Sequence, residues 1–218
     1  MQITRFVVNM VGENCYLLWD EHSNEAALID CGAFETSEKE AIKSFIAEKG
    51  LHLTHLFNTH GHFDHVFGAS FISDTYGVNI EICSDEQTTY EQAAEQMKQF
   101  LHLNLPLTLP KVGHYFNNGD ELHVGSITLK VIETPGHTPG GVCFYAEKER
   151  VLFSGDSLFK HQIGRCDLPG GSERLLINCL KNKILTLPDD VKVLPGHGAF
   201  TTIAEEKRLN YSSFGFRV

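Results

Sequence analysis

The sequence predicts an α/β protein built as a four-layer αββα sandwich, and three observations carry that prediction. Short apolar or alternating runs bounded by turn residues occur in both halves of the chain, and each half also carries amphipathic helical segments. The hydrophobic and charged fractions, 42% and 21%, are those of a soluble globular protein. Two strand-rich halves with helices bury their apolar faces best as two sheets packed face to face with helices outside. At 218 residues the chain suffices for one sizeable core, so residues 1–218 are expected to form a single domain.

Residues 2–8, 14–19 and 25–30 read as a strand meander, separated by "GEN" and "EHSN". In "ETSEKEAIKSFIAEKG", Ala41, Ile42, Phe45 and Ile46 recur at helical spacing, with acids at the start and Gly50 as a stop. "LTHLF" at 53–57 is a strand that ends on the histidine-rich stretch "THGHFDH". Beyond it, 66–77 is helix-like, 78–83 strand-like, and 85–103 a longer amphipathic helix broken by "LPLTLP". In the second half, 120–136, 141–156 and 191–196 are strands with short turns, with helices around 171–185 and from 201 onward. The tail "NYSSFGFRV" places Tyr211, Phe214 and Phe216 near a terminus, where they either pack on the core or mark a subunit contact.

The net charge of −10 repels polyanions, which argues against a nucleic acid partner. No segment has the length and apolarity of a membrane span or a secretory leader, so a cytoplasmic location without membrane association is expected. Cys15, Cys31, Cys83, Cys143, Cys166 and Cys179 show no CxxC spacing and read as free thiols, several of them buried.

In residues 59–65, His60, His62, Asp64 and His65 place four nitrogen and oxygen donors within six positions. An isolated HxH reads as two solvent-facing histidines on one strand face. Adding Asp64 and His65 shifts the reading to metal binding, because such crowding has no packing rationale and both donor types suit zinc at about 2.0–2.2 Å. Gly61 is read as the residue that lets the loop turn sharply. Three other stretches repeat one device, a strand end followed by glycine and a donor: His137 in "TPGHTPGG", Asp156 in "LFSGDSLF" and His197 in "VLPGHGAF". Each alone is an ordinary turn; together they bring the set to five histidines and two carboxylates, enough for two ions.

With these stretches in place, the chain resembles the metallo-β-lactamase superfamily, whose HxHxDH motif matches His60 to His65. The resemblance runs nearly end to end, through "NCYLLWDEHSNEAALIDCG", "TPGHTPGG", "FSGDSLF" and "LPGHGAFTTIAEEKRLN". It implies the fold of that family, with the site at the strand-end edge between the sheets. It further implies that His60, His62 and His137 hold one metal, that Asp64, His65 and His197 hold the other, and that Asp156 bridges them. Through "GDSLF" and "GRCDLPGG" the chain is most similar to the glyoxalase II-like (hydroxyacylglutathione hydrolase-like) enzymes, in a short subgroup without their C-terminal helical domain.

That likeness implies a binuclear hydrolase of thioesters or related esters. Two divalent ions, zinc first, with iron or manganese as alternatives, stand about 3.5–4 Å apart and activate a shared water as nucleophile. Asp64 both ligates and orients that nucleophile. Ser157 is expected only to support its loop. Arg165 is placed like the basic residue that contacts glutathione in glyoxalase II relatives, although a salt bridge to Asp167 is an equal alternative. Lys160 is a looser candidate for the same role. The substrate is a small molecule, and the chain is a monomer or homodimer.

Two other readings stand beside this one. His60, His137 and Asp156 alone match a two-histidine, one-carboxylate iron site of the persulfide dioxygenases in the same superfamily, which share the GRxD pattern of Gly164 to Asp167. A non-catalytic module keeping its metals as staples is the other. The remaining histidines, among them His22, His52 and His123, are expected to be surface or ordinary core residues.

Overall fold

In the computed structural model, residues 1–102 and 106–213 are described, with 209–213 as backbone alone; the expectations for Tyr211, Phe214 and Phe216 fall outside that description. Two six-stranded mixed sheets form the centre of the molecule. The first has the order β1 (Gln2–Val8), β2 (Glu13–Trp19), β3 (Glu25–Ile29), β4 (His52–Phe57), β5 (Ile80–Cys83), β6 (Val112–Phe116). The second runs β14 (Thr201–Thr202), β13 (Lys192–Pro195), β10 (Val151–Gly155), β9 (Val142–Ala146), β8 (Ile127–Glu133), β7 (Glu121–Val124). A small hairpin, β11 (Leu158–Phe159) and β12 (Gln162–Ile163), stands apart.

The period-2 alternation of the strands sorts their side chains into three cores. Tyr16, Leu18, Ile29, Phe57, Phe144 and Phe153 meet between the sheets. Leu17, Leu28 and Leu56 point the other way, onto Ile42 and Ile46 of α1 (Thr36–Lys49), Ile72 of α2 (Ala69–Tyr76) and Met97 of α4 (Ala93–Leu101). On the outer face of the second sheet, Cys143, Tyr145 and Leu152 cover Leu176 of α5 (Glu173–Cys179), while Ile203 of α6 (Ile203–Ser213) joins the same cluster. Helices outside two facing sheets make the expected four layers. Fully burying each large side chain of this kind stabilises the fold by roughly 1.5–3 kcal/mol.

Two parallel strand pairs, one in each sheet, determine where the loops emerge. β3 pairs in parallel with β4 after the α1 crossover, bringing Ile29 opposite Phe57. β10 pairs in parallel with β13 after the α5 crossover, bringing Gly155 opposite Pro195. The carboxyl ends of each pair therefore open at a common edge, the usual place for a site in parallel sheets.

Several elements depart from the sequence expectation. The helix predicted over 85–103 is a 3₁₀ turn (Ser84–Glu86), a short α3 (Gln87–Glu91) and α4, because Gln92 leaves the helical region at φ −89, ψ 3. The helix expected over 66–77 occupies only α2. β6, the β11–β12 hairpin and β14 were not expected. β6 shows a mostly exposed pattern and the other three strands have two residues each, too few to register a period. All six cysteines are free, and all but Cys166 are buried. Among the described residues no helix is long and apolar enough to cross a membrane.

Candidate metal centre

All seven predicted donors converge at the shared edge. His60, His62 and His137 form one cluster whose donor atoms lie within 4.8 Å of one another; Asp64, His65 and His197 form a second, and Asp156 groups with His60 and His65 between them. His62 Nδ1 lies 2.9 Å from His137 Nε2, and His197 Nε2 lies 3.2 Å from Asp64 Oδ2. Asp156 spans both sides, with Oδ1 3.4 Å from His65 Nε2 and Oδ2 3.6 Å from His137 Nε2.

The hydrogen bonds around the histidines assign their tautomers. The Thr59 hydroxyl donates to Asp30 Oδ2 at 2.8 Å, so at 3.0 Å it accepts from His60 Nδ1–H. His65 Nδ1–H donates to Asp30 Oδ2 at 3.0 Å, and His137 Nδ1–H donates to the Arg165 carbonyl at 2.7 Å. Each ring is left with a bare Nε2 lone pair aimed into the cluster, the arrangement of a ligating imidazole. His60 Nε2 and Asp156 Oδ1 are buried with no hydrogen-bond partner. Leaving such atoms bare is costly unless a further partner satisfies them. A donor set of five imidazoles and two carboxylates with open lone pairs fits divalent ions.

Charge in the cluster is divided accordingly. Burial holds His60 well below its ordinary pKa and brings His62 down to about 3. Burial also opposes charge on His65, but Asp156, Asp30 and Asp64 outweigh it and push that ring up, so the metal-free ring favours a second proton on Nε2, which a bound ion would displace. Asp64 and Asp156 resist the upward pull of burial because His65 and His197 hold them below the usual carboxylate range.

Local backbone chemistry puts each donor in place. Asn14 and Tyr16 of β2 anchor the His197 loop: the Asn14 amide donates to Gly196 O at 2.7 Å and Tyr16 Oη to Pro195 O at 2.6 Å. Gly136, at φ 141, shapes the turn before His137, a conformation open to glycine alone. Gly61 plays a different part from the one expected. It has no positive φ; a Cβ there would meet the Tyr90 backbone N at 2.6 Å, so it serves close approach. Asp30, Glu13 and Glu86 were missed in the sequence. Asp30 and Glu13 cluster with His65, and Glu86 takes hydrogen bonds from two loops.

A cavity of ≈ 500 Å³ opens beside His137, Asp156 and His197, walled by Phe159, Lys160, Gln162 and Arg165. A smaller one of ≈ 160 Å³ adjoins His62 between α4 and Pro169. The Arg165 guanidinium is forked onto Asp167 by two bonds of 2.8 Å, the alternative to substrate contact that the sequence left open, while still lining the larger cavity. Lys160 lies 3.5 Å from Glu205 of α6. Ser157 is buried and bonded to Thr134 at 2.6 Å, a loop support as expected. Unlike the donors, His22, His52, His102, His114, His123 and His161 are exposed, and His55 stacks on Phe57.

A family model of the metallo-beta-lactamase superfamily matches residues 8–197. The chain belongs to that superfamily. Hydroxyacylglutathione hydrolase GloC of Haemophilus influenzae, a relative of this superfamily member, is 37% identical over 212 residues, covering 96% of this chain and 97% of its own. Three solved structures of the superfamily fold are also similar. The B3 metallo-beta-lactamase BLEG-1 superposes with a TM-score of 0.86 at 33% identity over 95% of this chain and 97% of its own. TTHA1623, in a di-iron-bound form, does so with 0.83 at 30% over 94% and 98%. ETHE1 from Myxococcus xanthus gives 0.80 at 27% over 99% and 85%.

Proposed function

We propose that this metallo-hydrolase superfamily member cleaves a thioester of the hydroxyacylglutathione class, or a related ester, at a two-metal centre. The observation that carries the reading is the convergence of seven donors in two clusters, with His60, His65 and His137 all held in the tautomer that bares Nε2. The near full-length likeness to a hydroxyacylglutathione hydrolase supports the substrate class.

In this reading His60, His62 and His137 hold one ion, Asp64, His65 and His197 the other, and Asp156 both. When bound, two such ions bring the pKa of a shared water towards neutrality and polarise the scissile carbonyl. The chain's residues do the rest. Asp30 keeps His65 and, through Thr59, His60 from turning their protonated nitrogens inward. Asp64, ionised as a ligating carboxylate must be, accepts a hydrogen bond from the attacking group and orients it. The larger cavity takes the thiol portion, whose carboxylates Lys160 and Arg165 attract. A thiolate leaves without much help from an acid. Zinc is the first choice of metal, and the di-iron form of TTHA1623 supports iron as an alternative. The reading takes residues 1–218 as one domain, cytoplasmic, acting as a monomer or homodimer on a small molecule, with no nucleic acid or membrane partner.

A second reading, a mononuclear iron persulfide dioxygenase on His60, His137 and Asp156, draws support from the likeness to ETHE1 and the Arg165–Asp167 fork in "GRCD". Metal-replete protein tested on thioesters, esters and lactones, and iron-loaded protein tested for oxygen uptake on glutathione persulfide, separate the two. Hydrolysis without oxygen supports the hydrolase; oxygen uptake with no cleavage in the panel overturns it.

A further inference from the structure

Glu86 is a fully buried carboxylate outside the donor set. It ends the 3₁₀ turn Ser84–Glu86 that follows β5, and each of its oxygens serves a different loop. Oε2 accepts the Gly61 N–H at 2.8 Å, and Oε1 accepts the Gly140 N–H at 2.7 Å. Gly61 separates His60 from His62; Gly140 follows His137 by three residues. The same carboxylate thus joins the two loops that carry one complete three-histidine cluster.

Packing makes the same connection independently. A Cβ on Gly61 would meet the Tyr90 backbone N at 2.6 Å, and one on Gly140 would meet Asp85 C and Glu86 N at 2.7 Å. Both loops lie backbone to backbone against residues 85–90. Gln96 of α4 adds a third tie, accepting from Phe63 N at 3.2 Å and donating to Thr89 O at 2.8 Å. Among the described residues, the backbone hydrogen bonds that Glu86 accepts come from these two loops and not from the opposite cluster. Its Asp64 carbonyl is instead held by Asn9 at 2.9 Å, and its His197 loop by Asn14 and Tyr16.

We propose that Glu86 is the positioning residue of the three-histidine half of the centre, fixing the separation of the His60–His62 loop from the His137 loop before a metal arrives. The inference rests on the reading above that these histidines hold an ion, and not on which bond the enzyme cleaves. His62 and His137 share one imidazole–imidazole hydrogen bond of 2.9 Å, which does not set the spacing of their loops, so an external tie is suited to hold the three rings within ligating distance. A carboxylate is suited to act as that tie, since two strong acceptors on one rigid plane receive two amides from separate loops.

The test uses the full chain and its Glu86→Gln variant, which keeps the side-chain shape and replaces one acceptor with an amide that faces a backbone N–H. Zinc affinity of both sites is measured by competition with a chromophoric chelator, and exchange of the Gly61 and Gly140 amides is followed in metal-free protein. The variant is expected to bind one of its two zinc ions about 10–100-fold more weakly and the other with unchanged affinity. In the metal-free parent both amides are expected to exchange as slowly as those of β5. Equal weakening of both sites, or of neither, overturns the proposal while leaving the two-metal reading intact. Rapid exchange of either amide in the parent overturns it without any variant. A parent that binds no metal overturns both readings together.

Discussion

The carboxylate of Asp30 lies 3.0 Å from Nδ1 of His65, and both side chains are buried. Asp30 leaves the end of β3 with φ 55 and also accepts the Thr59 amide at 2.8 Å and the Thr59 hydroxyl at 2.8 Å. Through one carboxylate it orients donors of both clusters. Asp30→Asn replaces one acceptor with an NH₂ group, so a donor of its network loses its partner. Zinc affinity should fall about 10–100-fold at each site, read by chelator competition; unchanged affinity at both contradicts this role.

Gly61→Ala should destabilise the metal-free protein by about 1–3 kcal/mol in urea unfolding, as overpacking against backbone does. The new Cβ meets Tyr90 N, which has no flexible end to move aside. A cost below ~0.5 kcal/mol, the ordinary range for surface changes, would mean that the loop accommodates a side chain.

His62 should cost the metal-free protein stability as pH falls from about 7 to 5. His62 titrates near 6.5 when unfolded but is held to about 3 in the fold by burial and by His137. Between these values the unfolded chain binds the proton and the folded chain does not, so stability is present above pH 6.5 and is lost on acidification. At pH 5 this one ring costs about 2 kcal/mol. Urea titrations of the parent and of His62→Gln at pH 7 and 5 read it: the variant's loss should be smaller by about that amount, and equal slopes would refute it.

Lys160→Ala should raise KM for an anionic thioester several-fold, with kcat within about twofold, because a cation at the cavity wall binds ground state and transition state alike. The effect should shrink at high salt. A fall in kcat with KM unchanged would place Lys160 in the chemistry instead.

The sequence reveals most of what is apolar and most of what is concentrated. β3, β4, β9 and β10 are legible because buried strands leave short apolar runs, and the seven donors because they recur in one device. β6 is illegible because only Phe116 of its five residues is buried. Asp30 and Glu86 are single carboxylates whose partners lie 25 to 54 residues away, so no local pattern marks them. Arg165 shows a third limit: its neighbour Asp167 made the salt bridge conceivable, but only the fold shows both oxygens engaged.

The two-metal hydrolase reading is tested most directly by anaerobic hydrolysis of S-lactoylglutathione during titration of metal-free protein with zinc. Activity should rise to a maximum at two equivalents per chain and persist without oxygen. No cleavage at any zinc loading, from protein that purifies with one iron per chain, would contradict it.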